Sequence, residues 1–152
     1  MVLDITDKRL LQLLQDDCKQ TTKALSNVLG LSVTAVYERI KKLENQGFIS
    51  NYVALINKEL VDKSFVAFCH VKLTQHTQEY VVQFEREVAK LQEVLECYHI
   101  SGDYDYLLKV IVEDMEEFRE FMVKKLTNIN HIGSTHSMFM INEVKHSTAI
   151  IL

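Results

Sequence analysis

Residues 22–47 read TKALSNVLGLSVTAVYERIKKLENQG, and this stretch decides the first half of the fold. Ala24, Leu25, Val28 and Leu29 fall at i, i+1, i+4 and i+5, the spacing of one helix face. Thr21 or Thr22 is a suitable N-cap, and Gly30 suits the left-handed residue that ends a helix. Leu31 follows, and Ser32 caps a third helix whose Val36, Ile40 and Leu43 form the buried stripe. The capping box is incomplete, because Ala35 stands where Glu or Gln would reach back. Gly47 stops the helix. Two short helices joined by a glycine turn have the logic of a helix-turn-helix, whose second helix presents its N-terminal half to the major groove. The outward positions are Ser32, Thr34, Tyr37, Glu38 and Lys41, flanked by Arg39 and Lys42. Hydroxyls at the tip reach base edges or phosphates, and the cations supply salt-dependent affinity. Glu38 either accepts from a cytosine amino group or pairs with a neighbouring cation. The same pattern also serves a three-helix bundle with a charged exterior that binds no DNA.

Upstream, Asp4 or Thr6 caps a first helix running to about Asp16, with Leu10, Leu11, Leu13 and Leu14 on its apolar side. Downstream, Phe48–Ile56 (FISNYVALI) reads as a short strand leaving the helical part. The remainder alternates strand and helix. Ser64–Leu73 is a strand with Phe65, Ala67, Cys69, Val71 and Leu73 on one face. Gln78–Leu91 is a helix, Val94–Ser101 a strand, and Gly102-Asp103 a hairpin turn. Tyr104–Val112 is the returning strand. Asp114 caps a helix that turns Met115, Phe118, Met122, Leu126 and Ile129 inward. Ile132–Val144 is a long strand, and Thr148–Leu152 a possible terminal one. The order β-α-β-β-α-β is ferredoxin-like. The fold class is therefore α+β, divided into a helix-turn-helix domain (1–50), a linker strand (51–63) and a ferredoxin-like domain (64–152). Val66, Phe68, Leu107 and Ile111 lie on the sheet face away from the helices, so a second subunit is expected to cover it.

The 152 residues are 47% hydrophobic and 25% charged, with four glycines and no proline, which excludes low-complexity and linker-rich chains. No apolar run approaches the roughly 20 residues of a membrane span, and Met1–Lys8 does not resemble a secretory signal. Cys18, Cys69 and Cys97 are widely spaced, which argues against a disulfide framework or structural zinc and fits a reducing cytosol. Residues 1–60 carry 8 basic and 7 acidic groups, net +1; residues 61–152 carry 9 and 14, net −5, which together make the −4 of the chain. A nucleic-acid contact must therefore come from a local patch in the first part. Asp103 and Asp105 lack a nucleophile or third catalytic partner, and the histidines lack a metal motif, so neither an enzyme nor a metal site is expected.

Taken together, LDITDKRLLQLLQ, TTKALSNVLGLSVTAVYERIKKLENQGFISNYVALIN, SGDYDYLLKV and STHSMFMINEVK strongly resemble the Lrp/AsnC family of leucine- and asparagine-responsive regulators, over nearly the whole chain. The resemblance implies an N-terminal winged-helix-like helix-turn-helix that binds double-stranded DNA. It also implies a ferredoxin-like domain that dimerises and senses amino acids, with dimers assembling further, often to octamers, in the cytoplasm on the nucleoid. Carried over, Ser32–Gln46 is the recognition helix, and Ser32, Thr34, Glu38, Arg39, Lys41 and Lys42 match positions near or on DNA. Thr22 and Lys23 open the helix on the backbone. The effector site would comprise Gly102, Asp103, Tyr104 and Asp105 with the hydroxyls of Thr135 and Ser137. A glycine turn bares N–H groups for a carboxylate, and Asp103 or Asp105 accepts from an ammonium. Gly and Asp are equally at home in a plain hairpin. The hairpin and the start of the last strand are expected at opposite ends of one protomer, so that a pocket using both is shared between subunits. The sequence departs from the family at His131, where glycine is frequent, and at Ser137, where threonine is. The only small molecule expected is an amino-acid effector, with no cofactor. An architectural DNA-binding protein without effector, and a small amino-acid-binding protein without a DNA role, are the rival readings.

Overall fold

In the computed structural model, which describes residues 2–152, the chain forms two compact units. One comprises the residues up to Leu55 together with Val144–Leu152; the other is Ile56–Glu143.

The first unit is three helices: α1 (Ile5–Asp16), α2 (Thr22–Leu29) and α3 (Val33–Asn45). Each begins where a short polar side chain takes up an orphan N–H. Asp4 accepts from the Asp7 N–H at 2.6 Å while Asp7 accepts from the Asp4 N–H at 3.3 Å, a reciprocal box built from two aspartates. Thr21 caps α2 through the Ala24 N–H, and Ser32 caps α3 through the Ala35 N–H, both at 3.1 Å. Gly30 ends α2 at φ 66°, which costs glycine nothing. Leu10, Leu11, Leu25, Val36 and Leu43 form the buried core. Phe48 and Ile49 return to the Leu43 carbonyl at 2.9 and 3.3 Å and close the end of α3.

In the second unit, a 3₁₀ turn (Lys58–Val61) leads to β1 (Phe65–Leu73), α4 (Gln78–Val88), β2 (Val94–His99), β3 (Tyr106–Val112), α5 (Met115–Lys124), a 3₁₀ turn (Leu126–Asn128) and β4 (Ile132–Phe139). The sheet is antiparallel throughout, in the order β2-β3-β1-β4, as a ferredoxin-like βαββαβ chain requires. Period-2 alternation puts Ala67, Cys69, Val71, Tyr106, Leu108 and Val110 into one core with Phe84 and Val88 of α4 and Phe118 and Phe121 of α5. The other face turns Phe68, His70, Leu107, Lys109 and Ile111 outward at half exposure, and Met138 more openly. Val66, on this face, is nonetheless buried.

Five expectations need correction. Phe48–Ile56 is no strand: beyond Ile49 it runs without ladder bonds, with Val53, Leu55 and Ile56 each 67% exposed. Strand-like composition does not make a strand without a partner to pair with. β4 stops at Phe139 rather than Val144, and α4 at Val88 rather than Leu91. Met115 is exposed, and Phe121 takes the buried place beside Phe118. Finally, Thr148–Leu152 forms no strand and clusters with the first unit instead of closing the second. Gln15 on α1 draws it there, donating to the Ile150 carbonyl at 2.9 Å and accepting from its N–H at 2.6 Å.

Candidate nucleic-acid interface and effector site

On α3 the packing stripe Val36, Ile40 and Leu43 consumes one side. The opposite side carries Thr34, Tyr37, Glu38, Lys41 and Lys42, all exposed, with Tyr37 at 50%. At the start of α2, Lys23 is exposed and Thr22 half-buried. Ser32 also lies at the surface, but its hydroxyl oxygen is committed to the cap.

Arg39 is different. Its Nη1 donates to Asp4 at 2.8 Å and to Asp7 at 2.5 Å, and Asp7 is only 2% exposed. The two carboxylates hold the guanidinium above its ordinary range, Asp4 foremost. The Asp4 carboxyl is held below its usual value, first by the Asp7 N–H and then by Arg39. Arg39 is thus an α3-to-α1 clamp that neutralises a buried carboxylate. Charge on a helix surface does not reveal from sequence which element supplies its partner.

Lys41 donates to Glu44 at 2.8 Å and sits 5.9 Å from the Tyr37 ring centre. The hydrogen bond to Glu44 raises the Lys41 pKa. Glu44 also accepts from the Tyr52 hydroxyl at 3.1 Å, and burial, then Glu44, push that phenol up to about 12.

The Gly102–Asp105 turn sits between β2 and β3. Gly102 has φ 121°, a conformation that side-chain-bearing residues rarely adopt. The Ile100 N–H donates to the Asp105 carbonyl at 2.9 Å and closes the turn. Asp103 is exposed. Asp105 is occupied: its Oδ2 accepts from the Leu73 N–H at 2.7 Å, and its Oδ1 lies 3.0 Å from His76 Nδ1. It fastens the hairpin to the end of β1. Tyr104 stacks on His70 at 4.9 Å.

The strand register overturns one expectation. Val71 pairs with Tyr106 on one side and with Thr135 on the other. β3 and β4 both run antiparallel to β1, so both begin at the same end of the sheet. The hairpin and Thr135 therefore lie at one level of one protomer, two strand spacings or about 10 Å apart. The expectation that they lie at opposite ends of the protomer is thereby corrected. Thr135 and Ser137 do share a face: they are half-buried opposite Val71 and Cys69, on the helix-covered side, with Ser137 Oγ 3.6 Å from Cys69 Sγ.

Sequence reasoning missed a cluster beside this turn. Tyr106 donates to Glu85 of α4 at 2.9 Å. His99 stacks on Tyr106 at 4.7 Å, and the His76 and His99 rings lie 5.3 Å apart. Burial, then Glu85, raise the Tyr106 hydroxyl. A groove of about 380 Å³ runs past Glu85, Cys97, His99 and Tyr106. The signal was present in the parity of Tyr106, which shares a face with Leu108 and Val110, but parity names no partner. His131 takes φ 71° and stacks on Tyr80 with ring centres 3.6 Å apart; the site where glycine was expected does use glycine's backbone region.

Two family models match the chain. Residues 3–50 match a winged helix-turn-helix DNA-binding model, and residues 66–150 match the Lrp/AsnC ligand-binding domain. A leucine-responsive regulatory protein of Salmonella typhimurium is 37% identical over 150 residues, covering 99% of this chain and 92% of its own. A transcriptional regulator of Neisseria meningitidis, solved in complex with L-methionine, superposes with a TM-score of 0.93 at 33% identity, over 98% of this chain and 96% of the other. An AsnC-family transcriptional regulator of Agrobacterium tumefaciens gives a TM-score of 0.92 at 32% identity, over 97% and 96%.

Proposed function

The chain belongs to the Lrp/AsnC family of transcriptional regulators, and from that premise we propose how it binds DNA and answers to an amino acid. Its business is regulation, not catalysis. α3 enters the major groove. Thr34, Tyr37 and Glu38 face base edges; Lys23, Lys41 and Lys42 meet phosphates; Thr22 and Ser32 hold the two helix starts against the backbone. The observation that carries this reading is the exposed strip from Thr34 to Lys42 on a helix whose position is fixed by the Ser32 cap and the Arg39 clamp. Among the described residues, Thr34, Tyr37, Glu38, Lys41 and Lys42 take no part in the core of the unit.

The effector is an α-amino acid of the aliphatic kind; the L-methionine bound by the Neisseria regulator and the leucine named for the Salmonella relative mark the class. The Gly102–Asp105 turn receives its backbone groups, with Asp103 as the acceptor for the ammonium, because Asp105 is spent on Leu73 and His76. Thr135 and Ser137 lie at the same end of the sheet and complete the polar lining. A second copy covers Phe68, Leu107, Ile111 and Met138. Dimers assemble further, to an octamer, and the assembly works in the cytoplasm on the nucleoid. Ligand binding shifts the population of assemblies and so the spacing of recognition helices along the duplex.

Fluorescence anisotropy with duplex fragments at two salt concentrations tests the DNA half: affinity falls steeply as salt rises, and failure to bind at low salt ends the reading. Native mass measurement with and without L-methionine or L-leucine tests the sensing half. Unchanged assembly and unchanged DNA affinity with both ligands would remove these two amino acids as effectors.

A further inference from the structure

We propose that the last five residues are a strap of the DNA-binding unit, and that the chain holds its own helix-turn-helix in shape with its C-terminus. The chain enters this unit twice: once as residues up to Leu55, and again from Val144 to the end. The second entry makes a specific contact. The Gln15 carboxamide takes both backbone groups of Ile150, donating to its carbonyl at 2.9 Å and accepting from its N–H at 2.6 Å. A side-chain amide that satisfies both groups of one residue acts as one rung of a β-ladder, reading backbone rather than side chain. Around that rung Thr148, Ile150 and Leu152 line a groove, with Ile150 still 68% and Leu152 48% exposed, while Ile151 points away at 93%.

The groove's other walls are the C-terminal half of α1, with Leu11, Leu14 and Cys18, and the ladderless segment through Phe48, Tyr52 and Leu55. That segment needs support: it carries exposed apolar side chains and few backbone bonds of its own. It also holds Tyr52, which donates to Glu44 and so fixes the carboxylate that holds Lys41. The strap thus reaches the recognition helix in three steps, from Ile150 to the groove, from the groove to Tyr52, and from Tyr52 through Glu44 to Lys41. The DNA consequence rests on the proposed placing of Lys41 at phosphate; the fastening does not.

Two variants of the 152-residue chain test this. One ends after Ser147; the other is Gln15→Ala, a substitution that favours helix and leaves α1 intact. Amide hydrogen exchange, read peptide by peptide, is expected to rise about five-fold in residues 11–18 and 48–55 in both variants, since one or two hydrogen bonds are lost, and to stay unchanged in β1 and β3. DNA affinity at fixed salt is expected to rise about three-fold, because a loosened Glu44 releases Lys41. Unchanged exchange in those two segments overturns the strap. Raised exchange with unchanged DNA affinity leaves the fastening standing and overturns its route to Lys41. A wild-type chain that binds no duplex at low salt defeats the regulator reading, and the exchange pattern still decides the strap.

Discussion

Among the described residues, five buried side chains make the core of the DNA-binding unit, and fourteen make that of the sensor unit. The smaller unit compensates with polar fasteners: the Asp4–Asp7 box, the two hydroxyl caps, the Arg39 clamp across two helices and the Gln15 grip on the tail. The larger unit has aromatic packing across a four-stranded sheet, including Phe84 on Tyr106 at 4.5 Å, and leaves one sheet face without a helix over it. A small unit that must display an unencumbered helix surface cannot spend that surface on packing, so it is held by directional bonds at its edges. A sheet whose core is already complete on one side can leave apolar side chains such as Phe68, Leu107 and Ile111 half-exposed on the other.

The largest expected effect lies in the larger core. Phe84 is fully buried between α4 and the sheet, and Phe84→Ala should cost about 3–4 kcal/mol, measured by urea unfolding. Hydrogen exchange should assign that loss to the sheet and spare α1–α3. A matching loss in the three helices would show that the units unfold as one and that the contrast drawn here is false.

Next comes Arg39→Ala. Removing the guanidinium leaves Asp7 buried with its charge uncompensated, at a cost of about 2–3 kcal/mol. The loss should fall on the helices alone, and DNA affinity should drop only as far as the unit unfolds. If Arg39 instead touches phosphate, stability stays level and the salt dependence of binding loses about one unit of slope.

These two sites also mark what was readable in advance. The caps at Asp4, Thr21 and Ser32, the left-handed Gly30, and the alternation that makes Phe65–Leu73 and Tyr106–Val112 strands are local signals, set within a few residues of chain. What was hidden mostly involves a partner far along the chain. The acceptors of Arg39 sit 35 and 32 residues away. Phe48–Ile56 has strand composition but no strand to pair with. Period-2 spacing put Thr135 and Ser137 on one face without saying which, and the end of the sheet they occupy follows from β3 and β4 both opposing β1. In the candidate effector site, the turn at Gly102 was legible, whereas the commitment of Asp105 to Leu73 and His76 was not.

A smaller effect separates two neighbouring cations. Lys42→Ala should weaken binding to every duplex about three-fold and reduce the salt slope by about one. Lys41→Ala should cost less, because Lys41 must first leave Glu44. Glu44→Gln should therefore raise affinity for all sequences. Equal losses at Lys41 and Lys42, with no gain from Glu44→Gln, would show that the Tyr52–Glu44–Lys41 chain has no bearing on binding.

The smallest expected effect is a near cancellation at His131, in the sensor unit, where packing and backbone strain oppose each other. At φ 71° a residue with a Cβ costs about 1 kcal/mol relative to glycine. The contact with Tyr80, 3.6 Å between centres and 8° between planes, returns about the same through the apolar ring area it removes from water. His131→Gly should therefore leave the melting midpoint almost unmoved, while His131→Val keeps the strain, loses the stacking and should lower it clearly. The cycle with Tyr80→Ala isolates the ring contact: the Tyr80 substitution should cost less in the glycine background than in the histidine one, by about 1 kcal/mol. Equal costs in both backgrounds would mean that the rings merely lie together, and that the sensor unit tolerates the strain at His131 through its core alone.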